Sequence, residues 1–324
     1  MTNKLTRRAV MAGMAGALCA PNGAYAAWPE RPVSIVHGFG AGGNADVVAR
    51  IIAEALTQKL GTQFIVEPKT GAGGTLAAAH VARSKPDGYT LAVLPGGHPV
   101  AAAIYKNLPY RTVEDFTWIS LMTDYPFIMA TYNEHPAKNL AQMIDYGRKA
   151  KEPLLCANVG NGSGQHLSGE LFGSMSGAPI KPVPYKGGAE GMLDVIGKRV
   201  DLIFDTPTVL LEPVKAGQIR ALAVTSLQRF FALPDVPTLD EAGVKGYDTS
   251  SWLGLAGPAG LPDDLTARLN TIMREVLADP AVVKKLNSIG SNVVPTSGAA
   301  LRDKVAAEVV KWTKVVSDAK IERL

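Results

Sequence analysis

The chain has 324 residues, of which 47% are hydrophobic and 19% are charged, a composition typical of folded globular domains rather than of disordered or membrane-embedded chains. Its formal net charge of +4 falls to about +1 without residues 1–26, which carry three of the 33 basic residues and none of the 29 acidic ones. Since no basic cluster interleaved with aromatic residues occurs, the charge pattern gives no support to a nucleic-acid partner.

Residues 1–26 carry the pattern of an export signal. Three basic residues are followed by an uncharged, mostly apolar run over Ala9–Ala20. Ala24-Tyr25-Ala26 then gives the small-x-small pattern of a cleavage site, so we expect the mature chain to begin near Ala27. The apolar run is shorter than the roughly 20 residues that a membrane-spanning helix needs. The sequence therefore predicts an exported, periplasmic protein, and it leaves open whether export uses the general or the twin-arginine route.

After the signal, short β-rich runs alternate with helical stretches, which indicates an α/β fold. The predicted strands are Pro32–Val36, Gln63–Val66, Thr90–Leu94, Phe127–Tyr132, Leu154–Ala157, Leu202–Phe204, Arg220–Thr225 and Trp252–Ala256. The predicted helices are Ala45–Leu60, Leu76–Arg83, one that begins over Ala101–Tyr105, Gln165–Met175, Glu190–Ile196, Val209–Lys215, Asp264–Leu277, Pro280–Ser288 and Leu301–Val316.

Two apolar strands divide the chain into halves that are discontinuous in sequence. We interpret Phe127–Tyr132 and Trp252–Ala256 as strands that cross between two lobes. One lobe is predicted to contain residues 27–128 plus 254–324, and the other residues 129–253. The length of the chain suffices for two such lobes, each with a core of its own.

The cysteine, histidine and serine residues do not occur at the spacings that are typical of catalytic or metal-binding sites. Cys156 is the only cysteine after the signal, so the mature chain forms no internal disulfide, and its apolar surroundings favour a buried structural thiol. The five histidines show no metal-ligand spacing, and no serine occupies a G-x-S-x-G motif. We therefore predict no metal, no cofactor and no enzymatic activity.

Glycine-rich loops recur where a predicted strand ends and a helix begins. They are Gly38–Asn44, Gly71–Thr75, Gly160–Gly164 and Gly187-Gly188, with Pro95–His98 as a shorter relative. In parallel α/β sheets, ligands bind outside the carboxyl ends of the strands, where such loops lie. The N-terminus of a helix offers unpaired N–H groups and partial positive charge, and glycine lets a ligand approach the backbone closely. Loops from both lobes around one cleft would suit a carboxylate.

Structural roles compete with ligand binding at several polar positions in or near these loops. Asp46 either contacts the ligand or orders its loop and complements the helix dipole. Ser163 either donates to a ligand or caps the next helix. His166 either lines the cleft or belongs to the core, and Asp205 stands at the end of an apolar strand.

The sequence resembles the Bug-type substrate-binding proteins of the tripartite tricarboxylate transporter family over residues 28–320. The resemblance is carried by stretches spread along the whole range, at residues 28–32, 39–46, 71–74, 86–90, 184–188, 201–205, 220–226, 233–238 and 251–252.

The resemblance implies a type II periplasmic-binding-protein fold whose two lobes close over a carboxylate held partly through water. It also implies a membrane transporter as partner, leaves a sensor kinase open as a second one, and fits a monomer. The candidate ligand-binding residues are Phe39, Gly42, Gly43, Asn44, Asp46, Gly73, Gly74, Gly97 and His98 in one lobe, and Ser163, Gly164, His166, Asp205 and Thr206 in the other. The sequence departs from the family pattern at Gly40, Ala41, Pro95, His98 and Thr206, which leaves the identity of the acid open.

A dinucleotide-binding oxidoreductase is the alternative interpretation. Gly40-Ala41-Gly42-Gly43-Asn44-Ala45 fits G-x-G-x-x-A between a strand and a helix, and Glu67 ends the next strand as a ribose-binding acid would. The export signal argues against this alternative because it removes the chain from the nicotinamide pool.

Overall fold

The computed structural model describes residues 28–324, so the predicted export signal lies outside the described residues. In chain order the strands are β1 (Val33–His37), β2 (Phe64–Pro68), β3 (Thr90–Pro95), β4 (Phe116–Tyr125), β5 (Ile128–Tyr132), β6 (Leu154–Asn158), β7 (Ile180–Pro184), β8 (Leu202–Asp205), β9 (Ile219–Val224), β10 (Ser251–Pro258) and β11 (Asn292–Val293). The helices are α1 (Asn44–Leu60), α2 (Thr75–Ala82), α3 (Gly97–Ile104), α4 (Leu140–Lys149), α5 (Gly164–Ser176), α6 (Gly188–Ile196), α7 (Pro207–Lys215), α8 (Asp263–Ala278), α9 (Pro280–Ser288) and α10 (Gly298–Asp318).

The strands form two separate sheets, which define a first and a second lobe. The six-stranded sheet of the first lobe has the order β11-β4-β10-β3-β1-β2, and the five-stranded sheet of the second has the order β7-β6-β8-β5-β9. In each sheet a parallel set is extended by antiparallel strands: β1 pairs in parallel with β2 and β3, and β6 pairs in parallel with β7 and β8. The predicted two-lobed α/β fold is thus confirmed.

The chain crosses between the sheets twice, at adjacent points. The first crossing lies between β4 and β5, and the return lies between β9 and β10. The backbone N–H of Phe127 donates to Thr225 Oγ1 at 2.8 Å, and that hydroxyl donates to the carbonyl of Thr249 at 3.0 Å. The two predicted crossing strands correspond to β5 and β10, each of which lies within one sheet, so the crossings are made by the connections before them, residues 126–127 and residues 225–250. The boundaries of the lobes at residues 128 and 254 remain a prediction.

Helix α1 shows why the periodic segments fold as expected. Val48, Ile52 and Leu56 recur every four residues and are fully buried against the first sheet. Gly61 then ends the helix in the left-handed conformation, with φ of 70°. Within residues 28–324, no helix combines the length and the apolar character needed to cross a membrane.

Four elements were not expected from the sequence, and strand β7 is one of them. Strand β4 is ten residues long and pairs with both β10 and β11, but Thr, Ser and Asp interrupt its apolar residues. Helix α4 does have a local signal in the sequence, since Asn139 caps it by accepting the N–H of Gln142 at 3.0 Å. Strand β11 has two residues and exists only through its pairing with β4.

The loops of the two lobes contact each other across the cleft. Tyr105 donates its hydroxyl hydrogen to the carbonyl of Asn161 at 2.8 Å, and Thr208 donates to Asn44 Oδ1 at 2.6 Å. A Cβ on Gly73 would lie 2.7 Å from the carbonyl oxygen of Asn161. The lobes are therefore closed, and glycine at position 73 is what permits this approach.

We expect Gly73→Ala to hold the lobes apart, because its methyl group collides with backbone of the opposite lobe. Gly217→Ala is the matched control: its φ of 68° resembles the 62° of Gly73, but no atom lies within 4 Å of a Cβ at that site. Small-angle scattering, with a saturating carboxylate that binds the wild type, should give a larger radius of gyration for Gly73→Ala only. Equal scattering by the two variants would contradict the prediction.

Candidate functional site

A cavity lies between the lobes at the carboxyl ends of the parallel strands. The space between its lining atoms, including the solvent at its mouth, is about 480 Å³. Seven of the predicted site residues line it: Phe39, Gly43, Asn44, Gly97, Gly164, Asp205 and Thr206. No Lys or Arg is among the lining residues, and Asp205 is the only acid. The site therefore offers a ligand hydrogen-bonding groups rather than cationic side chains.

Four helices begin at this cavity. Their first residues are Asn44 of α1, Gly97 of α3, Gly164 of α5 and Gly188 of α6, and all four line it. The first N–H groups of a helix have no partner within the helix, and the peptide dipoles leave partial positive charge there. Two of these helices belong to each lobe. The arrangement brings partial positive charge from four helix ends to the cleft without any lysine or arginine side chain.

Asn44 presents its amide group to the cavity in a fixed orientation. Its Oδ1 accepts hydrogen bonds from the hydroxyls of Thr208, at 2.6 Å, and Ser291, at 3.2 Å. Its Nδ2 is buried and makes no hydrogen bond to any described residue. Because the oxygen is occupied, the NH₂ group is the part that remains for a ligand.

Asp205 is buried and only half satisfied. Its Oδ1 accepts the N–H of Thr206 at 2.7 Å and Gln165 Nε2 at 3.3 Å, while Oδ2 has no partner among residues 28–324. Burial raises the pKa of this carboxyl to about 6, against the opposing effect of the hydrogen bonds from Thr206 and Gln165. A Cβ on Gly188 would lie 2.0 Å from Oδ2, so that position requires glycine.

Some lining residues could not be found from sequence motifs. They are Tyr125, Phe127, Val159, Gln165, Ser251 and Leu253. Tyr125 and Ser251 lie far apart in the chain and meet because β4 pairs with β10 in that register. Burial raises the pKa of the Tyr125 hydroxyl. These residues give the cavity a wall that is largely aromatic and aliphatic.

Asp46 stabilises the first glycine loop, Gly38–Asn44, by hydrogen bonding and does not line the cavity. Its Oδ2 accepts the N–H of Gly42 at 3.0 Å, and its Oδ1 lies 3.2 Å from His37 Nε2 and 2.9 Å from Arg50. His37 Nδ1 in turn accepts the N–H of Phe39 at 3.4 Å. Burial acts to raise the pKa of Asp46, but the hydrogen bonds from Arg50 and Gly42 outweigh it and lower the pKa overall. His37 and Asp46 thus fix both ends of the loop.

Hydrogen bonds of the same kind order the glycine loop before α5 in the second lobe. Ser163 accepts the N–H of His166 at 3.1 Å and so caps the helix. His166 Nδ1 accepts the N–H of Gly162 at 3.4 Å, four residues earlier, as Asp46 does from Gly42. Burial lowers the pKa of His166 to about 4, so the ring is neutral at pH 7. The structure gives both residues a loop-ordering position, and their contact with a ligand remains a prediction.

Gly73, Gly74 and His98 line a second, smaller cavity beside the first. The ring of His98 stacks on Tyr110 with centroids 5.4 Å apart, and its Nε2 donates to the carbonyl of Thr112 at 2.9 Å. Burial lowers the pKa of His98 to about 4. This histidine lies in an aromatic cluster outside the lining of the central cavity, and contact of Gly73, Gly74 and His98 with a ligand remains a prediction.

We expect Asp46→Ala to loosen the first loop, because Gly42 loses its acceptor and His37 and Arg50 lose their carboxylate. The free energy of unfolding should fall by about 1–3 kcal/mol, and the ligand affinity by about threefold or more, which corresponds to about 0.7 kcal/mol. Urea denaturation and isothermal titration measure the two effects. Asp303→Ala, at an exposed acid on α10, is the control, and equal values for both variants would refute the assignment.

We expect Asp205→Asn to stabilise the ligand-free protein at pH 7.5, since the wild type must keep a buried carboxylate ionised. A pKa of about 6 in place of 3.8 corresponds to a gain on the order of 3 kcal/mol, at about 1.36 kcal/mol per pKa unit. Because the pKa is raised in the folded state, the gain should shrink as the pH falls from 6 and vanish below 4. Denaturation at pH 7.5 and 4 checks this, and a gain that did not change with pH would contradict it.

The structure is similar to several solved structures. The periplasmic binding protein BugD is 36% identical, with a TM-score of 0.88, and the match covers 92% of this chain and 100% of that one. R. palustris Rpa4515, solved with adipate, is 35% identical with a TM-score of 0.87, and the match covers 92% and 100% of the two chains. MatC of Rhodopseudomonas palustris, solved with bound malate, is 32% identical with a TM-score of 0.85, and the match covers 89% and 100%.

The sequence also matches a protein family directly. Residues 48–321 fit the model of a family described as "Tripartite tricarboxylate transporter family receptor". The match covers most of the chain and includes all the helices from α2 onwards. The resemblance seen in the sequence is thus confirmed, and these comparisons give no support to the oxidoreductase alternative. The chain belongs to the receptor family of the tripartite tricarboxylate transporters.

Proposed function

We propose that this protein captures a small carboxylate between its lobes in the periplasm and delivers it to a membrane transporter of the tripartite tricarboxylate type. The observation that carries the proposal is the meeting of four helix N-termini and the Asn44 amide around one cavity without a lysine or arginine. The adipate and malate bound by two structural neighbours agree with a carboxylate ligand.

The available hydrogen bonds suffice for useful affinity. A hydrogen bond to a charged group contributes about 1.5–3 kcal/mol, so four such bonds give on the order of 6–12 kcal/mol before the costs of association and closure. Micromolar affinity requires about 8 kcal/mol. Binding of one carboxylate by backbone amides is therefore sufficient in principle.

The proposed receptor works by closure of its two lobes. Residues 27–128 plus 254–324 and residues 129–253 act as the two halves that close over the ligand, with a hinge at the adjacent crossings near Phe127 and Thr225. The mature chain begins near Ala27 and works as a monomer that binds and releases its ligand unchanged. A sensor kinase as an additional partner stays open.

The loop that fits the dinucleotide motif has a different environment here. A Cβ on Gly40 would lie 2.9 Å from the carbonyl oxygen of Lys186, so the loop faces the opposite lobe closely. Glu67 accepts a hydrogen bond from Ser34 at 2.5 Å rather than standing free for a ribose. Both observations favour the receptor over the oxidoreductase.

Isothermal titration of mature protein with adipate, malate and citrate tests the proposal, with succinamide and NAD as the uncharged and the dinucleotide comparison. We expect at least one acid to bind with micromolar or better affinity and succinamide not to bind. Asn44→Asp should weaken binding at least about tenfold because it places a second negative charge at the carboxylate. Asn287→Asp on the exposed face of α9 is the control. Binding of NAD alone would reject the receptor in favour of the oxidoreductase.

A further inference from the structure

The unsatisfied oxygen of Asp205 is an unusual feature of a site that binds anions. Asp205 is 2% exposed, and its Oδ2 has no partner within the described part of the chain. Its Oδ1 is fully engaged by Thr206 and Gln165, which fixes the plane of the carboxylate. Oδ2 lies against Gly188, which also lines the cavity. A ligand in the cavity therefore meets a buried acceptor that the protein leaves unpaired.

Within the described part of the chain, no neighbouring polar atom makes a hydrogen bond of normal geometry to this oxygen, although the Thr206 side chain is close enough to act against the rise in the Asp205 pKa. Thr206 Oγ1 and Asn44 Nδ2 also lack partners among residues 28–324, although both side chains are more than nine-tenths buried. Buried polar atoms of this kind are normally paired, because an unpaired one costs about 1–3 kcal/mol. Their clustering in one cavity indicates that a polar ligand completes them.

The charge of the cavity limits what can stand beside Asp205. With no lysine or arginine in the lining, a ligand carboxylate is served by the helix N-termini and the Asn44 amide. A second carboxylate next to Oδ2 would face a buried like charge without a cation between them. A hydroxyl or an ammonium group on the ligand would instead donate to Oδ2 and satisfy it.

We propose that the ligand carries, beside its carboxylate, a hydroxyl or ammonium group that donates a hydrogen bond to Asp205 Oδ2. This inference rests on the proposed function and narrows the ligand from carboxylates in general to hydroxy acids and amino acids. Asp205 then determines specificity, while the helix N-termini supply affinity for the carboxylate that all such ligands share.

Matched acids test the proposal in the wild type at pH 7.5, where Asp205 is ionised. Malate and succinate differ by one hydroxyl, and aspartate and succinate by one ammonium group. Isothermal titration should show malate or aspartate binding at least about tenfold more tightly than succinate, the ratio that corresponds to about 1.4 kcal/mol. A preference for malate alone identifies the hydroxyl as the donor, and a preference for aspartate alone identifies the ammonium group.

The variant Asp205→Asn tests whether this residue causes the preference for malate or aspartate over succinate. The variant should bind malate or aspartate no more than about threefold more tightly than succinate, a difference of about 0.7 kcal/mol. Glu190→Gln, at an exposed acid in the first turn of α6, should keep the full wild-type preference. Circular dichroism verifies that both variants are folded, and the wild-type comparison does not depend on either of them.

The outcomes separate the two proposals. Equal affinity of the wild type for succinate, malate and aspartate would overturn the role of Asp205 and leave the carboxylate receptor intact. A preference that survives in Asp205→Asn would likewise overturn it. Failure of these three acids, adipate and citrate to bind would overturn both proposals together.

Discussion

The parallel pairing of strands is the constraint on which the rest of this structure depends. In the first sheet β1 and β3 run in the same direction, and in the second sheet β6 and β7 do so. The helices that follow these strands therefore start at the cleft edge of their sheet. The dipoles of these helices then converge from both lobes on one space. A binding site for an anion arises from backbone alone, which leaves the side chains of the cavity free to select among anions.

Such a site has a cost in stability. Asp205, Thr206 and Asn44 each hold a buried polar atom that finds no partner among residues 28–324, and burial also disfavours the ionised form of Asp205. A protein selected for stability alone would replace these groups by satisfied or apolar ones. Their presence on both sides of the cleft also means that a ligand which satisfies them joins the lobes, so that specificity and closure have the same physical origin.

The local features of the fold could be predicted from the sequence because they depend on residues close together in the chain. The four-residue period of Val48, Ile52 and Leu56 and the terminal Gly61 define α1 without further information. Strand β4 could not be recognised in the same way, since both of its neighbours come from after residue 250. An interrupted apolar run becomes a central strand only when distant partners bury it.

The sequence by itself determined the receptor family, the α/β alternation and the glycine loops that open the helices, because these are recorded in residue types at short spacing. Only the tertiary structure decided the roles of individual side chains. Asp46 accepts a hydrogen bond from its own loop, and His98 packs in an aromatic cluster. Tyr125 and Ser251 are paired across two strands, and both line the cavity. The physical reason is that the partner of a buried polar group is chosen by long-range packing, which brings together residues that no local pattern connects.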